Sequence, residues 1–102
     1  MGMTQTTLRT EIGTFATEHA SKYLQQLCKH FAHKIDVEYD SQTGHAALPP
    51  GPARLDAGQE MLRIEITGPD EAGLSRARHI IDDHLVRFAF REDFKGMDWR
   101  PL

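Results

Sequence analysis

The sequence predicts a two-layer α+β domain: a strand, a helix, several antiparallel strands and a second helix, with both helices on one face of one sheet. Three observations predict it. Residues 18–34 and 70–87 each repeat apolar side chains at helical spacing. Residues 35–67, between them, alternate apolar and polar side chains with period two. A run of strands set between two helices marks α+β order, whereas strands alternating singly with helices would mark a parallel sheet. A split sheet of the TATA-binding-protein-like or helix-grip-like kind fits this order, and a ferredoxin-like arrangement is the competitor.

Each element has its own signature. In residues 8–14, Leu8 and Ile12 share one face of a strand, with Arg9 and Glu11 on the other. Thr17 is the expected N-cap of the first helix. With Leu27 at zero on the wheel, Ala20, Leu24 and Phe31 fall to one side and Tyr23 to the other, which makes one apolar stripe. Ile35, Val37 and Tyr39 then alternate with Asp36, Glu38 and Asp40, a strand with one wet face. Residues 41–44 read as a turn and His45 to Leu48 as a weaker strand. Pro49-Pro50-Gly51-Pro52 breaks the pattern, a short strand follows at residues 53–56, and Ala57-Gly58 turns. Leu62, Ile64 and Ile66, alternating with Arg63, Glu65 and Thr67, form the clearest strand. Gly68-Pro69-Asp70 opens the second helix, whose core face holds Ala77, Ile81, Leu85 and Phe88. Its end is open to two readings, because Val86, Phe88 and Phe90 also alternate with Arg87, Ala89 and Arg91.

The 102 residues fit a single domain spanning residues 1–102, with residues 1–6 expected to be disordered. A chain of this size buries about two-thirds of its unfolded surface, enough for one core without staples. The net charge of −3 speaks against generic nucleic-acid binding. Charge is nonetheless uneven: residues 18–34 hold Lys22, Lys29, Lys34 and three histidines against one acid, Glu18. No apolar run is long enough for a membrane span, and Met1 to Thr7 lacks the apolar core of a signal peptide. A lone cysteine, Cys28, allows no internal disulfide, and the expected location is the cytoplasm.

Two stretches carry candidate chemistry. On the first helix His30 and His33, with His19 and Gln26, form a polar flank beside the apolar stripe. On the second, His84, Arg87 and, if the helix continues, Arg91 share a flank. Should these flanks face each other, His30, His33, His84, Arg87 and Arg91 converge on an inter-helix groove. Arginine suits a carboxylate or phosphate through its planar fork. The plain alternatives are a solvated helix edge for the histidines, and surface pairing of the arginines with Asp83, Glu92 or Asp93. Two imidazoles bind a transition metal only with further ligands, so a metal site would need His30, His33 and His84 together. Cys28 sits mid-helix with no base at helical spacing and reads as a small buried hydrophobe. Asp82 and Asp83 point about 100° apart and form no dyad. Phe94 and Trp99 read as tail anchors or a partner surface. No phosphate-binding glycine loop, nucleophile elbow or Cys-x-x-Cys pair is present; the cofactor is left open and catalysis ranks below binding.

The stretches Tyr23-Leu24-Gln25-Gln26-Leu27-Cys28-Lys29-His30-Phe31-Ala32-His33-Lys34 and His84-Leu85-Val86-Arg87-Phe88-Ala89-Phe90-Arg91-Glu92 resemble the two signatures of a bacterial family of unknown function whose members are about this length. The resemblance runs from Thr7 to about Trp99 and departs from the family pattern at Ala46 to Pro52, which is proline-rich. It implies a bacterial cytoplasmic protein and an iron-acquisition context, near or joined to siderophore-interacting and iron-uptake proteins. It carries over no activity.

The expectation for function is therefore a small binding domain. Arg87 and Arg91 would neutralise an anionic small molecule, an iron-siderophore or another carboxylate compound, while His30, His33 and His84 donate hydrogen bonds. The alternatives are the three-histidine metal site and an interaction module. The latter would be a homodimer through an edge strand or the C-terminal aromatics, or the partner of a siderophore-related protein.

Overall fold

A computed structural model describes residues 8–102, and the disorder expected for residues 1–6 lies outside them. The elements run β1 (Arg9–Ala16), α1 (Ala20–Phe31), β2 (Val37–Tyr39), β3 (Thr43–Leu48), β4 (Gly51–Ala57), β5 (Met61–Gly68), α2 (Glu71–Phe88), a 3₁₀ turn (Phe90–Glu92) and β6 (Asp98–Pro101). All six strands join one antiparallel sheet in the order β2-β3-β4-β5-β1-β6. Four strands stand between the helices, where the ferredoxin-like order has two. The predicted α+β order holds and the ferredoxin-like alternative does not.

Period-two alternation divides the sheet into two faces. One row of cross-strand partners, Tyr39, Gly44, Leu55, Ile64, Gly13 and Trp99, lies on the face that the helices cover. The adjacent row, Glu38, His45, Arg54, Glu65, Ile12 and Arg100, lies on the open face. Charges on the open face pair among themselves, Arg54 with Asp56 and Arg63 with both Asp56 and Glu65. On the covered face Leu55, Leu62, Ile64 and Ile66 are fully buried against Leu24, Leu27, Ile81 and Leu85 of the helices. Small residues set the depth of α1: a Cβ added at Gly44 would stand 2.8 Å from the Cys28 sulfur. Cys28 is itself fully buried, and burial pushes its thiol up to about 11.

Several sequence expectations need correction. Leu8 precedes the strand and Ile12 faces the open side; Glu11 and Phe15 point to the helix side, opposite Ile66 and Leu62. Glu11 is tolerated there because Arg78 of α2 reaches it at 2.6 Å while also holding Glu71 at 2.6 Å. Thr17 is not the N-cap. His19 occupies that position without a side-chain cap, and Thr17 accepts the His19 N–H two residues on at 3.0 Å. The first helix is shorter than residues 18–34 and ends at Phe31 in a turn. Pro49 and Pro50 alone make the β3–β4 turn, since Gly51 already pairs with Leu48 and Pro52 with Ala47. Pro52 precedes the β4–β5 ladder, which begins at Arg54, so its missing N–H removes no bond there. The second helix opens at Asp70 as expected, and Asp70 caps it by accepting the Gly73 N–H at 2.8 Å.

The end of α2 resolves the open reading. The helix stops at Phe88, a 3₁₀ turn follows, and Asp93 adopts a left-handed conformation, φ 55°. The tail then returns as β6, an element the sequence reading did not anticipate. Asp82 anchors it, accepting the Met97 N–H at 3.0 Å and the Trp99 indole N–H at 2.9 Å. Glu92 ties the 3₁₀ turn to the start of α1 by accepting from Thr17, at 2.9 Å, and from the Tyr23 hydroxyl. Burial and the adjacent Glu92 carboxylate push Tyr23 up to about 12. No helix among the described residues is long and apolar enough to cross a membrane.

Gly13 is where β6 meets the sheet most closely, since a Cβ there would come within 2.6 Å of the Trp99 ring. Gly13→Ala therefore displaces Trp99 and costs about 1–3 kcal/mol of stability through overpacking. Urea unfolding reads the loss, and Trp99 fluorescence in the folded variant shifts toward the solvent-exposed spectrum.

Candidate functional site

The seam between the helices is built from two flanks. Gln26, His30 and His33 lie one turn apart along α1 and its C-terminal turn, while His84 and Phe88 lie one turn apart on α2. Both stripes must bury against the same sheet, which sets the helices side by side and turns these flanks toward each other. The His30 and His84 ring centroids are 4.6 Å apart, inclined at 56°. Phe31 meets His84 edge-on at 5.2 Å, and Phe88 stands 6.2 Å from His30 and 6.3 Å from His84. The four rings form one aromatic cluster across the seam. His84 Nδ1 lies 2.6 Å from the Ile80 carbonyl oxygen, to which it donates, and this leaves Nε2 with the free lone pair in the neutral ring.

Two recesses flank His30. The first, about 370 Å³, has an apolar floor of Phe31, Ile35, Leu48 and Ile80. His30, Lys34 and His84 stand around it, and Pro49 of the β3–β4 turn closes one side. The second, about 320 Å³, lies on the other side of His30 and is lined by Gln26, Lys29, His33 and Phe88. No acidic residue lines either one. The His30 imidazolium is accordingly disfavoured: partial desolvation, then the charges of His84, His33, Lys34 and Arg87, hold its pKa below the ordinary 6.5.

The five residues expected to converge are placed unequally. His30 and His84 meet. His33 lines only the second recess, with its ring 6.5 Å from that of His30. Arg87 acts on His30 through its charge but lines neither recess. Arg91 has left the helix flank, because α2 ends three residues before it, and its guanidinium stacks on the Phe90 ring at 5.5 Å. Among the described residues, neither arginine makes an ion pair with the acids expected, Asp83, Glu92 or Asp93. Among the same residues no group of three or more His, Cys, Asp and Glu side chains is placed to hold a metal ion, so His30, His33 and His84 do not form the set that a metal site requires.

Lys34, Ile35, Leu48, Pro49 and Ile80 were not singled out in the sequence. Lys34 sits in the basic run that ends α1, so its signal was local. Leu48 and Pro49 reach the site only because the β3–β4 hairpin folds over the C-terminal end of α1, which no local pattern announces.

A family model described as an uncharacterised protein conserved in bacteria (DUF2218) matches residues 13–100. The chain belongs to this family. Among solved structures, that of the DUF2218 chain is similar to the NMR structure of PA4090 from Pseudomonas aeruginosa. The two share 29% sequence identity with a TM-score of 0.75, over 91% of this chain and 96% of that one. No curated protein matches the sequence.

The depressed pKa of His30 makes stability depend on pH with a definite sign. Below about pH 6.5 the unfolded chain takes up a proton that the folded His30 resists, so the unfolded state binds more protons and stability falls. The contribution is fully present above the ordinary value and is lost as pH falls through the folded one. Urea unfolding at pH 8 and pH 5 should show a smaller loss for His30→Gln than for the parent.

Proposed function

We propose that this DUF2218 domain binds a small organic anion with an apolar body at the recess between the end of α1, α2 and the β3–β4 turn. The observation that carries the reading is the pairing of His30 and His84 at 4.6 Å beside Lys34, over an apolar floor, with no acid in the lining. Such a setting lacks negative charge, and a carboxylate supplies it by accepting from Lys34 and the imidazoles through charge-assisted hydrogen bonds. The body of the ligand packs on Phe31, Ile35, Leu48 and Ile80, in keeping with pockets that are mostly apolar with a few convergent polar groups. Carboxylate compounds that handle iron fall in this class, and a ferric siderophore would be one if the iron-acquisition context implied by the sequence resemblance holds.

Hydrocinnamate, an aryl carboxylate, tests the reading by isothermal titration calorimetry. Saturable binding is expected, tighter at pH 6 than at pH 8 because the anion favours imidazolium in the site. Lys34→Ala combined with His84→Ala should weaken it by about tenfold or more, whereas Arg91→Ala, outside the recess, should leave it unchanged. Absence of saturable heat in the parent protein, or equal affinity in the double variant, defeats the proposal.

A further inference from the structure

The recess beyond His30 has a feature that the first lacks. Gln26 Oε1 is shut off from solvent and has no hydrogen-bond partner among the described residues, and the Gln26 side chain lines this second recess with Lys29, His33 and Phe88. A buried acceptor left unpaired costs about 1–3 kcal/mol, and native proteins carry few of them. Such an atom can accept a hydrogen bond from a bound group.

Position and charge define that donor. Gln26 and His30 are four residues apart on α1, a spacing of about 6 Å, and Lys34 follows in the turn after the helix. His30 lines both recesses, which makes them neighbours across one ring. Lys29 and His33 are exposed side chains at the mouth of the second recess and are free to swing aside for an entering group. They also make that lobe basic, and a cationic donor such as an ammonium is repelled there while a neutral one is not.

We infer that the ligand of this site is an elongated anion with a neutral hydrogen-bond donor, a hydroxyl or amide, at its far end: the carboxylate lies by Lys34 and His84, the body crosses His30 and Phe88, and the donor pairs with Gln26 Oε1. The inference rests on the anion-binding reading above and adds the chemistry of the second lobe. A ligand of this kind satisfies both deficits at once, negative charge in one recess and a donor in the other.

The experiment compares hydrocinnamate with its para-hydroxy derivative by calorimetry on the full chain, parent and Gln26→Leu. The hydroxylated probe should bind the parent about tenfold more tightly, the gain of one hydrogen bond to a buried group. Gln26→Leu should abolish that preference, whereas Arg91→Ala, outside both recesses, should keep it. Gln26→Met, close in shape, serves in the same comparison if the leucine variant fails to fold. Equal binding of the two probes by the parent, or a preference that survives loss of the amide, overturns the inference and leaves the anion site standing. Binding of neither probe overturns both.

Discussion

The covered face of the sheet carries Leu55, Leu62, Ile64 and Ile66 with no solvent exposure, and that burial requires both helices. Neither helix alone spans a face six strands wide: α1 lies over β2 to β5, and α2 over β5 and β1. Fully burying a side chain of this kind is worth about 1.5–3 kcal/mol. The hydrophobic demand of one face therefore forces two helices into contact, and the seam where they touch exists because the sheet is too wide for one of them.

That constraint sets the polar arrangement as well. Residues brought to the covered face by strand alternation, such as Glu11, need partners from a helix, and Arg78 supplies one. Asp82 and Glu92 play the same part at the tail, holding β6 and the 3₁₀ turn through buried or half-buried hydrogen bonds. These acids are spent on structure. The seam by contrast receives His30, His33, Lys34 and His84 with no acid lining either recess, whereas Arg54, Arg63 and Arg78 elsewhere are paired with carboxylates.

The imbalance links the fold to the proposed function. A protein of net charge −3 presents at one place a cluster with only basic titratable groups, aromatic walls and an apolar floor. Protonation of His30 is opposed by every charged neighbour that reaches it. The anion proposed to bind there would reverse the sign of that opposition and couple its binding to proton uptake.

The two amphipathic stripes, the alternation of residues 62–67 and the turn at Gly68-Pro69-Asp70 were legible in the sequence because each depends on contacts at fixed local spacing. They determined the α+β order and both helices, and they marked His30 and His84 as flank residues. Strand polarity in β1 was not legible: Leu8 and Ile12 look like a core face, yet the inner positions go to Glu11, Gly13 and Phe15, because Arg78 and Trp99 arrive from far along the chain to fill that side. The exit of Arg91 from the helix flank was equally hidden, since helix and strand periodicities overlap over Val86 to Arg91, and the helix end is decided by Glu92 binding Thr17 and Tyr23 more than sixty residues away. Local spacing chose which residues stand on the flanks. Only packing across the sheet chose which of them meet, because the separation of two helices depends on side-chain volumes beneath both.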